Sequence, residues 1–182
     1  MSFWVSLKRR IGVECFYAGQ QLVAMLPDHC GAARYAFYRR FLQQAGRFHS
    51  MSGLKIYCPE GVKIGEGVSM NIGVVLDPSD GGAIEIGNNV LIGPYCVLRA
   101  ADHVFSDPAI PIKDQGHRGG AIVIEDDCWL GSHVVVTRSV RIGRGCVIGA
   151  HSVVTHDIPP YTVAAGVPAT VLRQRGDRQE QP

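Results

Sequence analysis

The most regular feature of the chain is an aliphatic residue at every sixth position in its carboxy-terminal half. These residues are Ile124, Leu130, Val136, Ile142, Ile148 and Val154. Four residues after each comes a small or apolar one: Cys128, Val134, Val140, Cys146, Ser152 and Ile158. A six-residue period fits neither the 3.6-residue repeat of an α-helix nor the plain alternation of one strand, so it indicates a solenoid. We predict that each hexad is one short strand and its corner, with the first residue inside the coil.

The same spacing extends upstream of this region. It continues through Ile86, Ile92 and Leu98, with Val90 and Cys96 at the small positions, and more loosely through Ile64, Met70 and Leu76. Three hexads would form one triangular coil, so the run from Ile124 to Pro159 corresponds to two coils. The whole stack is then four to five coils, about 20 Å tall at a strand spacing of roughly 4.8 Å.

The first fifty residues lack the repeat and are basic. Their charge is 7 − 2 = +5, whereas that of the remaining residues is 11 − 14 = −3. The apolar spacing predicts a first helix that is closed by Pro27. It also predicts a second helix that is capped by Asp28 and runs to Gly46, with Phe37 and Phe41 on one face.

These elements divide the chain into three parts. Residues 1–50 are predicted to be a helical cap on the open end of the solenoid, whose edge strand could otherwise pair with another chain. Residues 51–173 form the solenoid, and residues 174–182 form a polar tail. An alternative is that the basic and aromatic amino-terminal segment rests on an anionic membrane as a peripheral foot. The aromatic side chains there fit either interpretation.

Length and composition narrow the class of protein. A chain of 182 residues fits one domain. No apolar run reaches the length of a membrane span, and the start MSFWVSLKRRIG lacks the features of a secretory signal, so we expect a cytoplasmic protein. Cys96, Cys128 and Cys146 stand at small interior positions, where a thiol acts as a compact apolar group. The absence of a C-x-x-C pair gives no indication of a zinc or dithiol centre.

The repeat is interrupted between the hexads that begin at Leu98 and at Ile124. Residues 104–123 are predicted to leave the coil as an excursion, with His103 at its root. A loop of this length in a compact repeat is usually functional. The chemistry is therefore expected where the ladder is broken.

The segment from Asp102 to Arg173, including GHRGGAIVIEDDCWLGSHVVVTRSVRIGRGCVIGAHSVVTHDIPPYTVAAGVPATVLR, resembles the hexapeptide-repeat acetyltransferases. It is most similar to the sugar O-acetyltransferases of surface-polysaccharide clusters, with galactoside and maltose acetyltransferases as more distant relatives. The likeness covers about residues 54–173. It implies a mainly β, left-handed parallel β-helix, although parallel crossovers are almost always right-handed. It further implies a homotrimer with active sites at subunit seams, acetyl-CoA as donor and no metal.

The resemblance also implies roles for particular residues. His103 would be the general base, a role that suits imidazole because its ordinary pKa of about 6.5 allows a neutral ring to accept a proton. The backbone N–H of Ser132 would stabilise the thioester oxyanion, a contribution of about 3 kcal/mol in such sites. The residues that match the coenzyme wall are Trp129, Ser132, Ala150, Thr155 and Gly166, with Arg173 at the phosphates. Because the family often has Lys where His156 stands, phosphate binding could also involve Arg175 and Arg138.

The acceptor side is less well defined. Asn71, Asp77, Asp102 and Gln115 are candidates to contact a sugar, and either aspartate could instead orient the imidazole of His103 or lie in a solvated turn. His117, in the excursion, could contact the substrate or be solvated, and His133 and His151 are expected on the outer walls. A zinc site with His151 and His156, as in hexapeptide-repeat carbonic anhydrases, is a weaker alternative.

The sequence thus predicts an acetyl-CoA-dependent O-acetyltransferase that acts on a sugar hydroxyl in surface-polysaccharide synthesis, such as lipopolysaccharide O-antigen or capsule. Its partners would be two further copies of the chain and a free or lipid-linked sugar, with no nucleic acid. One alternative is an acetyltransferase for an amino sugar, an amino acid or an antibiotic. Another is a trimeric scaffold that has lost the chemistry, which failure to bind acetyl-CoA would indicate.

Overall fold

A computed structural model of the protein describes the backbone of residues 3–177 and the side chains of residues 12–177. Two helices come first, α1 (Phe3–Ala24) and α2 (Gly31–Tyr38), joined by a short 3₁₀ turn. The helix predicted before Pro27 is therefore confirmed. The prediction for the second helix was wrong in length and in its cap. The chain already enters a sheet at Gln44, and the Asp28 carboxylate accepts the N–H of Ser52 (2.8 Å) instead of capping α2.

The strands follow in groups of three. The first coil contains β1 (Gln44–Ala45), β2 (Phe48–Ser50) and β3 (Lys55–Ile56). The second contains β4 (Val62–Ile64), β5 (Val68–Met70) and β6 (Val75–Asp77), and the third contains β7 (Ala83–Ile86), β8 (Leu91–Ile92) and β9 (Val97–Arg99). A hairpin of β10 (Ala101–His103) and β11 (His117–Gly119) comes next. The fourth coil contains β12 (Ala121–Ile124), β13 (Trp129–Leu130) and β14 (Val135–Val136), and the fifth contains β15 (Arg141–Ile142), β16 (Val147–Ile148) and β17 (Val153–Val154). The last strands are β18 (Thr162–Gly166) and β19 (Ala169–Gln174).

These strands form the three faces of a left-handed parallel β-helix. The first face is β1-β4-β7-β12-β15, the second is β2-β5-β8-β13-β16-β18-β19 and the third is β3-β6-β9-β14-β17. All neighbours within the faces are parallel except β19, which returns antiparallel to β18. The solenoid therefore begins seven residues before the expected boundary at residue 51, and an antiparallel strand that the hexads did not indicate follows its last coil.

The hexad register accounts for the interior. Ile64, Ile86, Ile124 and Ile142 are paired in successive strands of the first face, so equivalent side chains stack directly on one another. Every hexad-first residue named from the sequence is buried. So are the residues at the small positions. The predicted interior is confirmed because a six-residue repeat returns each side chain to the same place on a triangular coil.

The helices pack against the open end of the solenoid. Phe16 and Tyr38 belong to the same apolar core as the coils, and the Tyr38 hydroxyl donates to Leu54 O (2.7 Å). The Gln20 side chain accepts the N–H of Ile56 (2.7 Å), which is on the first-coil edge. These contacts favour a cap for residues 12–50. The side chains of Trp4 and the basic cluster at residues 8–10, on which the membrane alternative depends, lie outside the part described. No helix of the described residues is both long and apolar enough to cross a bilayer.

The thiols of the three interior cysteines are both buried and hydrogen-bonded. Cys96, Cys128 and Cys146 are buried, and each Sγ donates to a corner carbonyl further along the solenoid. Burial raises the pKa of the Cys96 thiol, and it raises that of Cys128 to about 11.

Because thiolate is the reactive species, we expect these three thiols to resist a disulfide reagent at pH 8 while Cys15, which is exposed, reacts quickly. Counting modified thiols before and after denaturation measures this, and fast labelling of all six in the folded protein would contradict it.

The excursion is a hairpin stalk with a loop at its tip. β10 and β11 pair antiparallel, and the ladder resumes at Ala121, three residues earlier than the hexad starting at Ile124 suggested. The excursion outside the coil therefore ends at Gly120, whose N–H donates to Ala100 O (2.9 Å). This places His103 on an ordered strand at the corner between the third and first faces.

Candidate active site

The corner between the third and first faces carries His103. Its ring lies 4.2 Å, centroid to centroid, from that of His117 on the opposite strand. Both imidazoles are exposed to solvent. The sequence indicated the first histidine through the broken ladder. It left His117 as either a substrate contact or a solvated residue, because pairing across a hairpin cannot be read before the register is known.

A charged network surrounds these rings. His117 Nδ1 is 3.7 Å from Asp80 Oδ1, and Asp80 also pairs with Arg99 (3.1 Å). Arg99 in turn pairs with Asp77, whose other oxygen accepts hydrogen bonds from Ser79. The carboxylate of Asp77 is therefore occupied by the arginine and the serine. Asp80, which the sequence analysis did not select, is the acidic residue that faces the histidine pair.

Asp102 and Gln115 also have partners of their own. The Asp102 carboxylate forms an ion pair with Arg138 Nε (2.5 Å), which ties β10 to the next coil. The Gln115 side chain accepts the N–H of Asp107 (3.1 Å) and donates to the carbonyls of Asp107 and Ile110 (both 2.8 Å). Its amide therefore organises the loop at the tip of the excursion. Neither Asp77 nor Asp102 is hydrogen-bonded to His103.

The corner between the second and third faces carries free backbone donors. The N–H groups of Ser132 and Ala150 occupy equivalent places in successive coils and meet no acceptor among the described residues. At the same place in the second coil the N–H of Ile72 donates to the Asn71 side chain (2.7 Å), and in the third coil Pro94 has no N–H. Two donors at equivalent places thus have no partner in residues 12–177, and such groups can bind an oxyanion or an amide carbonyl.

The second face beside this corner is an apolar groove. Trp129 is 53% exposed and lies between Leu91 and Val147 of the adjacent coils. A side chain at Gly131 would meet Ala150 N at 2.7 Å, so the corner must be glycine if the coils are to approach this closely. Asn71 lies at the lower end of the groove, one face away from the other three acceptor candidates.

The end of the solenoid carries two more of the residues predicted for the coenzyme site, Gly166 and Arg173. Gly166 closes β18 at the same corner, and its N–H donates to Ser152 Oγ (3.1 Å). Arg173 pairs with Val163 across β18 and β19 and makes no ion pair with a carboxylate in residues 12–177. Arg175 instead pairs with Asp127 (2.8 Å).

Two other residues considered for the coenzyme site lie at the corner that also carries His103. Thr155 follows β17 on the far side of the third face and bonds to His156 Nδ1 (2.9 Å). Arg138, considered for the phosphates, is at the root of the excursion and already pairs with Asp102. Arg173 donates instead to the backbone carbonyls of Gln174 (3.2 Å) and Asp177 (3.4 Å), so within residues 12–177 it is the predicted phosphate ligand that has no carboxylate partner.

The two halves of the candidate site are separated within one chain. His103 follows the third face, whereas Ser132 precedes it in the next coil, so a full strand and its corners lie between them. Six residues of extended chain span at most roughly 20 Å, which is several times the reach of a hydrogen bond. A proton acceptor and an oxyanion donor acting on one carbonyl group must both be about 3 Å from it. Within one protomer the two groups are on different corners of the solenoid.

The outward histidines form a column on the second–third corner. The His133 and His151 rings stack with centroids 4.7 Å apart and planes inclined by 4°, and Tyr95 lies below them. This agrees with the expected outward positions. His156 bonds to Thr155, and no group of three potential metal ligands comes together in the described part of the chain.

Comparisons with known proteins place the chain in a family. Residues 121–156 match the model of the bacterial transferase hexapeptide, six repeats. The galactoside O-acetyltransferase of Escherichia coli is 42% identical over 102 residues, which are 53% of this chain and 47% of the relative. The chain spans only about a third to a half of the length of the first curated relatives it matches.

Solved structures match over more of their length. A hexapeptide-repeat acetyltransferase of Vibrio cholerae, complexed with acetyl coenzyme A, is 32% identical with a TM-score of 0.78, and the match covers 91% of this chain and 87% of that one. A maltose O-acetyltransferase of Clostridium difficile is 28% identical with a TM-score of 0.80, covering 89% and 85%. The hexad ladder, the interrupted coil and these full-length similarities together show that the chain belongs to the hexapeptide-repeat acetyltransferases.

Proposed function

We propose that the protein is an acetyl-CoA-dependent O-acetyltransferase that acts on a sugar hydroxyl, with each active site formed between two copies in a homotrimer. The observation that carries the proposal is the position of His103 and Ser132 at different corners of one solenoid. Each protomer then offers a base at one corner and an oxyanion donor at another. The galactoside and maltose acetyltransferases among its relatives favour a sugar as acceptor.

The proposed mechanism is direct transfer. His103 accepts the proton of the sugar hydroxyl while the hydroxyl oxygen attacks the acetyl carbon of the thioester. The Ser132 N–H of the neighbouring copy donates to the carbonyl oxygen as it becomes negative, and the thiolate of coenzyme A leaves as the carbonyl re-forms. Trp129, Ala150 and Gly166 would border the pantetheine arm, and Arg173 would bind phosphate. We propose no metal and no covalent enzyme intermediate.

We further propose that the acceptor is a sugar of a surface polysaccharide, free or lipid-linked, modified at the cytoplasmic side. An acceptor screen that measures thiol release from acetyl-CoA tests this with free sugars, lipid-linked sugars, amino sugars and amino acids in parallel. Turnover that is highest on a sugar hydroxyl supports the proposal. A preference for an amine would replace it with N-acetylation, and no binding of acetyl-CoA would indicate a scaffold.

The oxyanion donor can be deleted with little change to the coil. Pro94 occupies the place of Ser132 one coil below, so this corner accommodates a proline. Ser132→Pro removes the N–H and is expected to lower kcat by about 10²- to 10³-fold. Ser132→Ala keeps the N–H and is the matched control, whose loss should be far smaller. Similar kcat values for the two variants in a steady-state assay would contradict the assignment.

The shared site can be tested by mixing protomers. If His103 acts with Ser132 of a neighbour, a trimer of His103→Ala and Ser132→Pro chains contains one intact site. Random assembly from equal amounts should then restore roughly a quarter of wild-type activity, because three quarters of the trimers are mixed and each has one of three sites intact. Refolding the two variants together, with each refolded alone as control, gives the measurement. No recovery in demonstrably mixed trimers would rule out the seam.

A further inference from the structure

The excursion hairpin brings a second histidine to the proposed base in a fixed register. His103 is directly opposite His117 in the β10–β11 pair. Val104 N–H donates to Gly116 O (3.0 Å) in the next register position, so the two histidines form a non-hydrogen-bonded pair. Opposed side chains are closest in such pairs, which accounts for the 4.2 Å separation of the rings.

The contact with His117 restrains the orientation of the His103 ring in the part of the chain that is described. Neither ring nitrogen of His103 has a hydrogen-bond partner there, and the adjacent Asp102 is held by Arg138. The ring planes of His103 and His117 are inclined by 43°, so the second ring lies against the first and limits its rotation. A general base needs such a constraint because its nitrogen must meet a hydroxyl at hydrogen-bond distance.

The second ring is itself held in place. Asp80 Oδ1 is 3.7 Å from His117 Nδ1, and the Asp80 carboxylate is anchored by Arg99 (3.1 Å). Asp80 has a φ of 59°, on the turn that leads into the third coil. The aspartate thus comes from the solenoid and not from the hairpin. The charged groups around the pair are Asp80, Arg99 and Asp77 on the solenoid side and Asp102 with Arg138 on the hairpin side.

We propose that His117 is a positioning residue that orients the imidazole of His103, and that Asp80 fixes His117 in turn. This inference rests on the proposed function. Asp80, His117 and His103 then form one chain from the rigid coil to the reacting hydroxyl. His117 itself makes no contact with the transferred acetyl group in this arrangement.

The test compares His117→Ala, His117→Phe and Asp80→Asn with Arg118→Ala, a neighbouring change on β11 that controls for general loosening of the hairpin. His117→Ala is expected to lower kcat about 10- to 100-fold without changing the KM for acetyl-CoA. His117→Phe keeps a ring against His103 and should lose less. The double variant His117→Ala with Asp80→Asn should be no worse than His117→Ala alone, because both changes break the same chain.

Two readouts separate positioning from a merely structural role. In Asp80→Asn kcat should fall while the KM for acetyl-CoA stays unchanged, because only the orientation of the base is disturbed. The ring resonance of His103 in a histidine-labelled NMR spectrum, assigned by its loss in His103→Ala, should shift in His117→Ala and not in Arg118→Ala.

The outcomes distinguish this inference from the function on which it rests. A wild-type kcat and an unshifted His103 resonance in His117→Ala would overturn the inference, while an inactive His103→Ala would leave the proposed function intact. Full activity in His103→Ala would overturn the base assignment and with it the positioning role proposed for His117 and Asp80. Sedimentation and acetyl-CoA binding of each variant identify any that has lost its fold, and His117→Phe then carries the comparison.

Discussion

Replacing His103 by alanine is expected to lower kcat by about 10²- to 10⁴-fold, because proton transfer to a positioned base contributes about that much to catalysis. Acetyl-CoA affinity should stay nearly unchanged. The proposed donor groove, around Trp129 and the free N–H of Ser132, is on another corner of the solenoid and does not include the imidazole. Steady-state kinetics with isothermal titration of acetyl-CoA would measure both quantities.

The matched control for this prediction is His29→Ala. His29 is an exposed histidine in the 3₁₀ turn between the helices, and no part of the proposed site includes it. Its kcat should equal that of the wild type within error. If His103→Ala keeps a substantial fraction of wild-type turnover while remaining trimeric, His103 is not the base.

Replacing Arg34 by methionine is expected to lower the free energy of unfolding by about 3 kcal/mol or more. The guanidinium is fully buried and donates to four backbone carbonyls, those of Leu26, Pro27, Asp28 and Ser50, at 2.7 to 3.0 Å. Methionine fills similar space but leaves those acceptors without donors. Three of them belong to the turn between the helices and one to β2, so the substitution loosens the cap from the first coil.

Urea unfolding followed by circular dichroism measures this change, with Arg40→Met as control because Arg40 is exposed just after α2. A loss below about 1 kcal/mol, within the range of ordinary surface substitutions, would show that the cap is held mainly by its apolar contacts.

The Arg34→Met variant also tests whether the amino-terminal segment is a cap. If that segment is a cap, its release should expose the first coil and promote aggregation, since an uncovered strand edge invites pairing.

Much of the solenoid was predictable because its signal is local and repeated. Interior residues recur every six positions in each coil, so the repeat can be recognised even where one hexad departs from it. The predicted interior from Ile64 to Val154 is buried without exception. The boundaries were less predictable, as the strands at Gln44 and Phe48 show. The first coil has few aliphatic hexad positions, because Tyr38 and Phe16 from the helices complete its interior.

The hydrogen-bond and ion-pair partners of some side chains could not be predicted from the sequence. Asp77, Asp102 and Gln115 stood near His103 along the chain or through the family resemblance, yet each has other partners in the structure. The reason is that carboxylates and amides bond to whatever partner the fold brings near, and for Asp77 and Asp102 the arginine partners are remote in sequence. Arg138 is 36 residues from Asp102, and Arg99 is 22 from Asp77. Asp80 was overlooked, and the contact of His117 with His103 was not foreseen, for the same reason.

The sequence by itself determined the repeat, the inward and outward alternation, the helical start and the place where the coil is interrupted, because all of these depend on spacing along the chain. The family resemblance added the candidate roles of His103, Ser132 and Trp129. Only the tertiary structure decided which corner each residue occupies, that the N–H groups of Ser132 and Ala150 have no acceptor in residues 12–177, and that His117 with Asp80 lies against His103. Those facts depend on the register between coils and across the hairpin, which brings distant residues within a few ångströms and leaves others a full face apart.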